Sequence, residues 1–344
     1  MDNFEEYLRQ GEPTKAEKAK DWKTAIGLQK IDGLKPSDYL IETARQNIEG
    51  DITIEEVKQR LDSYYKQNPI INDPNRTEEA DKVSARITEI LSEKTFTLSP
   101  AEYLTIHRRL FEGIYSHAGQ IRDYNITKKE WVLNGETVLY SSSESMRATL
   151  EYDFQQEKKF IYRGLSQQEI IEHLAQFISN LWQIHIFGEG NTRTTAIYLI
   201  KYLRKLGFND VNNDLFAEHS WYFRNALARA NYEDLSKGIH KTDKYLVNFL
   251  LNLIHRENNV LKNREMHIHY ISPVDDTVNT QNDTVNDTVF YLIKQNNKIT
   301  ANEISERLNI SLSTAKRKIK ELKEKGKIER TGSDKTGFWK IIAQ

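Results

Sequence analysis

The stretch His185-Ile186-Phe187-Gly188-Glu189-Gly190-Asn191-Thr192-Arg193-Thr194-Thr195 lies between two helical runs. Upstream, Ile170, Ile171, Leu174, Phe177, Ile178 and Leu181 repeat with the spacing of one buried helix face. Downstream, Ile197, Ile200 and Leu203 resume that spacing. The stretch is therefore a loop joining two core helices, and the fold it predicts is mostly α. Gly188, Gly190 and Asn191 let the backbone turn with positive φ. The N–H groups that open the second helix then point into the turn, an arrangement that suits an anion. Arg193 adds a planar guanidinium with bidentate phosphate geometry. Glu189 offers hard oxygen to Mg²⁺, a metal usually held by one or two carboxylates plus substrate phosphates. His185 closes the preceding helix and titrates near neutrality, so it suits a general base; a histidine there also serves as an ordinary C-cap. A base, a metal carboxylate, an anion cradle and an arginine within nine residues point to phosphoryl or nucleotidyl transfer. No strand precedes the glycines, so they are not a dinucleotide fingerprint, and no GxxxxGK[ST] loop occurs anywhere.

The same segment resembles the signature of the Fic family, H-x-F-x-[DE]-G-N-G-R-x-x-R. His185, Phe187, Glu189, Gly190, Asn191 and Arg193 match in place. Leu110-Phe111, His117-Ala118-Gly119 and Ile121-Arg122, within residues 98–131, look like the family's helix and the lead-in to its flap. The resemblance covers about residues 95–240. It implies a Fic-type helical core with a β-hairpin flap, a protein adenylyltransferase that moves AMP from ATP to a Tyr, Thr or Ser hydroxyl. By that resemblance His185 deprotonates the hydroxyl and Glu189 holds Mg²⁺ on the α- and β-phosphates. Gly188, Gly190, Asn191 and Thr192 bind the nucleotide's phosphates, Arg193 grips the β-phosphate and Phe187 packs inward. Asn231, in a stretch similar to the family's adenosine contacts, is the candidate there; the Tyr often found seven residues earlier is Arg224.

Two positions depart from the signature. The usual second Gly is Thr192, and a β-branched residue tolerates positive φ poorly, so either the turn differs or it needs no positive φ here. The usual last Arg is Ala196. Its loss removes one charge-assisted contact to a γ-phosphate or to an inhibitory Glu, worth about 1.5–3 kcal/mol. That leaves open weaker ATP binding, another nucleotide such as UTP or GTP, or removal of AMP. It also leaves open a different class, a DNA-binding regulator whose degenerate core only senses nucleotide.

Residues 131–140, with Asn134-Gly135 at their centre, read as a β-hairpin. As the family's flap they would hold the target peptide as an added strand through Trp131, Val132, Leu133, Val138 and Leu139.

On the N-terminal side, residues 25–65 resemble the small helical antitoxins of the VbhA type that accompany Fic proteins. The similarity lies in Ile31-Asp32-Gly33-Leu34-Lys35-Pro36-Ser37 and in Glu49-Gly50-Asp51-Ile52-Thr53-Ile54-Glu55-Glu56. The antitoxins' inhibitory [ST]-x-x-x-E-[GN] falls on Leu28, Asp32 and Gly33, so both the inhibitory Glu and its Arg partner are altered. The expectation is a module that docks on the core and inhibits weakly or by occlusion. Helices are predicted over 38–47, stopped by Gly50, and over 55–65, with a boundary at Pro69 and Pro74.

The C-terminal segment predicts helix, turn, helix, hairpin. Thr300-Ala301-Asn302-Glu303 is a capping box opening a helix to Leu308. A second helix over 311–325, stopped by Gly326, carries Lys316, Arg317, Lys318, Lys320, Lys323 and Lys325, and strands follow over 327–331 and 337–342. This is a winged helix-turn-helix pattern. The charge supports it: residues 286–344 hold 13 basic and 7 acidic side chains, net +6, against 10 and 14, net −4, in residues 1–65. DNA binding through 287–344 and protein docking are the two readings. The domain plan is 1–70 antitoxin-like module, 78–265 Fic core, 266–286 linker with its repeated Asp-Thr-Val, and 287–344 winged helix.

Composition bounds the rest. The chain has 344 residues, 29% of them charged, and a net charge of −1, so the whole molecule is not a polyanion binder. Cysteine is absent, which excludes disulfides, thiolate catalysis and Cys-based zinc sites. No apolar run is long enough to span a membrane and the first residues are acidic, so no membrane partner and a cytoplasmic location are expected. A target protein with an exposed hydroxyl and a second copy in a homodimer complete the expected partners. His107, His173, His255, His267 and His269 show no metal-ligand spacing.

Overall fold

The computed structural model describes residues 15–69, 73, 75–208, 211–269, 285–308, 310–332 and 337–342. Most of the predicted linker, residues 270–284, and the tip of the wing lie outside the described residues, while the last Asp-Thr-Val of the repeat falls in a helix.

Helix α1 (Lys15–Leu28) runs into a 3-10 turn, Gln29–Asp32, which Gly33 ends in the left-handed region. α2 (Asp38–Glu49) is capped by Ser37 and stopped by Gly50 at φ 91°. α3 (Ile54–Gln67) opens with a capping box between Thr53 and Glu56, the reciprocal bonding that the Thr-x-x-Glu spacing permits. The predicted helices over 38–47 and 55–65 are present. α4 (Thr77–Ser92) and α5 (Pro100–Phe111) follow, then α6 (Met146–Lys159), α7 (Gln167–Ile184) and α8 (Asn191–Lys205). α9 (Asp214–Ala230), α10 (Lys244–His255) and the short α11 (Asn263–Met266) close the central body.

The repeat read from the sequence is the core face of α7: Ile171, Leu174, Phe177, Ile178 and Leu181 are buried. Each such side chain contributes about 1.5–3 kcal/mol on leaving water. α8 is buried nearly all round, because α5 packs on one side, α7 on another and α4 on a third. α1 is part of this body and not a peripheral decoration. Ala25, Leu28 and Ile31 share one apolar cluster with Val83, Ile87 and Phe111. α1 also crosses α9 so closely that a Cβ on Gly27 would fall 2.1 Å from the Cα of Ala217. α2 and α3 close a smaller cluster around Trp22, Leu40, Val57, Leu61 and Tyr65.

The predicted hairpin over 131–140 is a compact loop instead. Trp131–Leu133 is a 3-10 turn, ended by Asn134 at φ 55°. The Glu130 N–H donates to the Glu136 carbonyl and the Gly135 N–H to the Glu130 carbonyl, closing a tight ring with no ladder beyond it. The cause is Trp131, Val132 and Leu133, three consecutive apolar residues that are all buried. A strand sends neighbours to opposite faces, so it cannot bury three in a row against one body; a helical turn can.

The C-terminal region has α12 (Val285–Gln295), α13 (Ala301–Leu308), α14 (Leu312–Glu324) and the antiparallel strands β1 (Ile328–Thr331) and β2 (Phe338–Ile341). The Thr300–Glu303 capping box forms, and Gly326 terminates α14 region at φ 65°, as read. The molecule is mostly α with a winged helix-turn-helix. Among the described residues, no helix is long and apolar enough to cross a membrane.

Candidate functional site

The loop between α7 and α8 lines a cavity of about 560 Å³. His185, Gly188, Glu189, Gly190, Asn191 and Thr192 form one wall; Tyr124, Ile126, Lys128 and Glu130 face them; Asp32, Arg76 and Arg224 close the rim.

His185 caps α7 in the left-handed region, φ 49°, which turns its ring out of the helix and toward the cavity. Its carbonyl accepts from Arg122 Nε at 2.8 Å, and Arg122 also reaches the Ser141 carbonyl, so one buried guanidinium pins the turn. The imidazole lies 4.2 Å from the Tyr140 ring and edge-on to Trp182. Neither ring nitrogen has a hydrogen-bond partner among the described residues. Burial above all, then the charges of Lys128 and Arg224, holds its pKa well below the usual histidine range. His185 is therefore neutral at pH 7, and the C-cap reading alone leaves two buried nitrogens unexplained.

Gly190 has φ 75°, and a Cβ there would sit 2.4 Å from the Phe111 ring, so only glycine fits. Asn191 spends its side chain on the loop: Nδ2 donates to the Phe187 carbonyl at 2.7 Å and Oδ1 accepts from the Phe187 N–H. What Asn191 and Thr192 present to an anion is backbone N–H, unpaired within the helix at its first turn. Thr192 resolves the departure from the signature. It lies inside α8 with no positive φ, and its hydroxyl accepts from Trp182 Nε1 at 3.0 Å. No second glycine is required.

Glu189 is about half exposed in the cavity, with a carboxylate oxygen 3.3 Å from Lys128 Nζ. Among the described residues no cluster of three metal-ligating side chains occurs. A single carboxylate fits Mg²⁺, which takes its other ligands from phosphates and water.

Arg193 does not line the cavity. Its guanidinium is buried and committed: Nε pairs with Asp32 at 2.8 Å, Nη1 donates to Gln29 at 3.0 Å and Nη2 to Glu79 at 2.7 Å. Burial pushes the Asp32 carboxyl up, but Arg193 and Arg224 outweigh it and hold the pKa below the ordinary value. Ala196 is wholly buried in α8.

Other expected residues sit outside the cavity. Asn231 caps α9 and donates to the Ser179 and Leu227 carbonyls, so its amide is committed to joining α9 to α7 and does not line the cavity. Trp131, Val132, Leu133 and Val138 are buried, and Trp131 packs at 5.1 Å on Trp221. They offer no open strand edge. Leu139 alone of the five projects to solvent, 84% exposed, while its carbonyl accepts from Gln183.

The structure adds residues that sequence reasoning missed. Glu79 at the start of α4 binds both Arg193 and Arg76, and nothing in its local sequence marks it. His107 accepts the Gly119 N–H at Nδ1, so Nε2 carries the proton that bridges to the Glu189 carbonyl at 3.0 Å. Burial takes its pKa down to about 3, and its ring stacks on Phe187 at 3.6 Å. The neighbouring His107 and Phe111, one helical turn apart on α5, were the available signal. Thr314 of α14 donates its hydroxyl to the Gly33 carbonyl at 2.9 Å, beside Asp32, and Ser311 joins the cavity rim.

The Fic/DOC family pattern matches residues 97–203, and a winged helix-turn-helix DNA-binding pattern matches residues 289–329. The protein adenylyltransferase VbhT of Bartonella schoenbuchensis is 28% identical over 104 residues, 30% of this chain and 20% of that protein. The probable protein adenylyltransferase y4lH of Sinorhizobium fredii is 28% identical over 141 residues, 40% of this chain and 69% of that protein. The chain thus spans a fifth of the first relative's length and about two thirds of the second's. A Fic family protein of Desulfovibrio desulfuricans G20, known from a crystal structure, aligns with a TM-score of 0.40 at 13% identity, over 94% of this chain and 88% of that one. Residues 97–203 match the Fic/DOC family pattern, with the α7–α8 loop near the C-terminal end of the match, and residues 289–329 match a winged helix-turn-helix pattern.

Proposed function

We propose that the chain is a protein adenylyltransferase, moving AMP from ATP to a Tyr, Thr or Ser hydroxyl of a target protein. The observation that carries this reading is His185, a neutral imidazole with both nitrogens unpaired, in one cavity with the N–H groups that open α8. His185 takes the proton of the target hydroxyl as its oxygen attacks the α-phosphorus. The new P–O bond forms, the bond to the β-phosphate breaks, and pyrophosphate leaves. The start of α8 stabilises the charge that develops on the phosphoryl oxygens. Glu189 would hold Mg²⁺, which supplies neutralisation of phosphate charge when bound. The relatives named adenylyltransferases support the same chemistry.

Residues 1–70 act as an inhibitory module in this reading. Asp32, Gln29 and Glu79 keep Arg193 from any phosphate. Asp thus serves in place of the antitoxin Glu, on a different arginine. The functional plan keeps 78–265 as the catalytic core, 266–286 as a linker and 287–344 as the winged helix. A second activity, DNA binding, has a specific observation behind it: Lys316, Lys320 and Lys323 of α14 are exposed on a face not used against Gly33. A mobility shift on duplex DNA that weakens steeply with salt supports it; no shift, or one indifferent to salt, removes it.

The deciding experiment incubates the full chain and its Asp32→Ala variant with α-³²P-labelled ATP and Mg²⁺, alone and with lysate. Label on protein is expected, and His185→Ala should lower it by roughly 10²–10⁴-fold while melting at the wild-type temperature. No label with either form, or label that survives His185→Ala, overturns the reading.

A further inference from the structure

The cavity holds a second guanidinium that the signature does not place there. Position 196, where the signature has its last Arg, is an alanine sealed inside α8. α9 brings Arg224 to the cavity rim from the other side. Glu130 holds the fork of Arg224, with Nε 3.3 Å from Oε2 and Nη2 3.2 Å from Oε1. The remaining arm, Nη1, stands 3.9 Å from Asp32 Oδ1, while Arg193 Nε stands 2.8 Å from Oδ2 of the same carboxylate.

One carboxylate thus lies between two arginines from different helices, at the edge of a cavity with His185 on its wall. A carboxylate held this way marks where an oxyanion of similar size is bound, because planar guanidinium forks match carboxylate and phosphate oxygens alike. Glu130 is itself buried and cannot move with Asp32, so it fixes Nη1 in position whichever anion comes.

We propose that Arg224 is the second phosphate-binding guanidinium of this site, taking a phosphate beyond the α-phosphate once Asp32 withdraws, with Glu130 as its positioning residue. The proposal rests on the reading of the cavity as a nucleotide site. It accounts for a working pocket without an arginine at 196: the cation has moved from α8 to α9. It also explains why an aspartate at 32 suffices, since it meets Arg193 and Arg224 rather than a residue at 196.

The test uses the full chain carrying Asp32→Ala, which opens Arg224 Nη1 and removes one of the groups on Arg193, and calorimetric titration with ATP and AMP in Mg²⁺. Arg224→Gln should weaken ATP about tenfold or more, the effect of one lost charge-assisted bond, and leave AMP within about twofold. Arg224→Lys, which keeps the charge and the pairing to Glu130, should weaken ATP less. If Arg224→Gln alone fails to fold, the Glu130→Gln/Arg224→Gln double variant removes both charges together and carries the same expectation. An unchanged ratio of ATP to AMP affinity overturns this assignment while leaving the nucleotide site standing. Failure of the Asp32→Ala parent to bind either nucleotide overturns both.

Discussion

The two facing walls of the cavity are made by opposite means. The wall from His185 to Thr192 is tied mostly within its own segment, Asn191 to Phe187 and Thr192 to Trp182, with Arg122 and His107 bracing its backbone and Gly190 sitting where no side chain fits. The wall from Tyr124 to Glu130, with the Asp32 rim, is assembled from distant chain through Arg224, Lys128 and Arg193. The first wall depends on backbone shape, the second on charge. A local defect should therefore destroy the first, whereas removing a charge should retune the second.

The largest effect is expected at Gly190. Gly190→Ala forces a side chain into a left-handed position and against the Phe111 ring, a cost of about 3 kcal/mol. Thermal melting should show the loss, with labelling absent; a melting point within a degree of wild type breaks the claim that this wall is sterically determined. Next is Asp32→Ala. It removes one of the carboxylates on Arg193, and self-labelling should rise about tenfold or more, read on gels over time. Unchanged labelling means the rim does not restrain the site.

A smaller effect concerns pH. In the proposed mechanism the deprotonated imidazole is the base, so activity is expected to hold above the His185 pKa and fade as pH falls through it. That pKa lies well below 6.5, through burial first and then Lys128 and Arg224. The acid limb of the rate profile should accordingly fall below pH 6.5, and Lys128→Met should move it upward by less than about one unit. A limb that stays put shows that the facing wall does not tune the base. The smallest effect is expected at Leu139, which lies outside the cavity and is open to water. Leu139→Asp should change stability by under about 0.5 kcal/mol while lowering modification of a target more than self-labelling. Equal loss of both would deny this residue a part in target recognition.

What could be read in advance followed the same division. The α7–α8 loop was legible because its residues act on their near neighbours. A glycine, a histidine at a helix end and a following helix start carry their geometry with them. Capping boxes at Thr53 and Thr300 were legible for the same reason. The hairpin over 131–140 was misread because Asn134-Gly135 does form a tight turn, but burial of Trp131, Val132 and Leu133 overrode the strand pattern. Asn231 was not legible from the sequence: a helix C-cap and a ligand contact look alike until the neighbour at Ser179 is known.

The amino-acid order alone determined a helical chain, a glycine turn with a histidine at its edge and a helix start behind it, and a basic winged helix toward the C-terminal side. Each rests on spacings of a few residues, where backbone geometry leaves little choice. Only the tertiary structure decided that Arg193 is held by Asp32 and Glu79, that Arg224 pairs with Glu130 beside Asp32, and that α14 touches Gly33. Those contacts join residues up to hundreds of positions apart, and a charge finds its partner through packing of the helices that carry it, which no local pattern encodes.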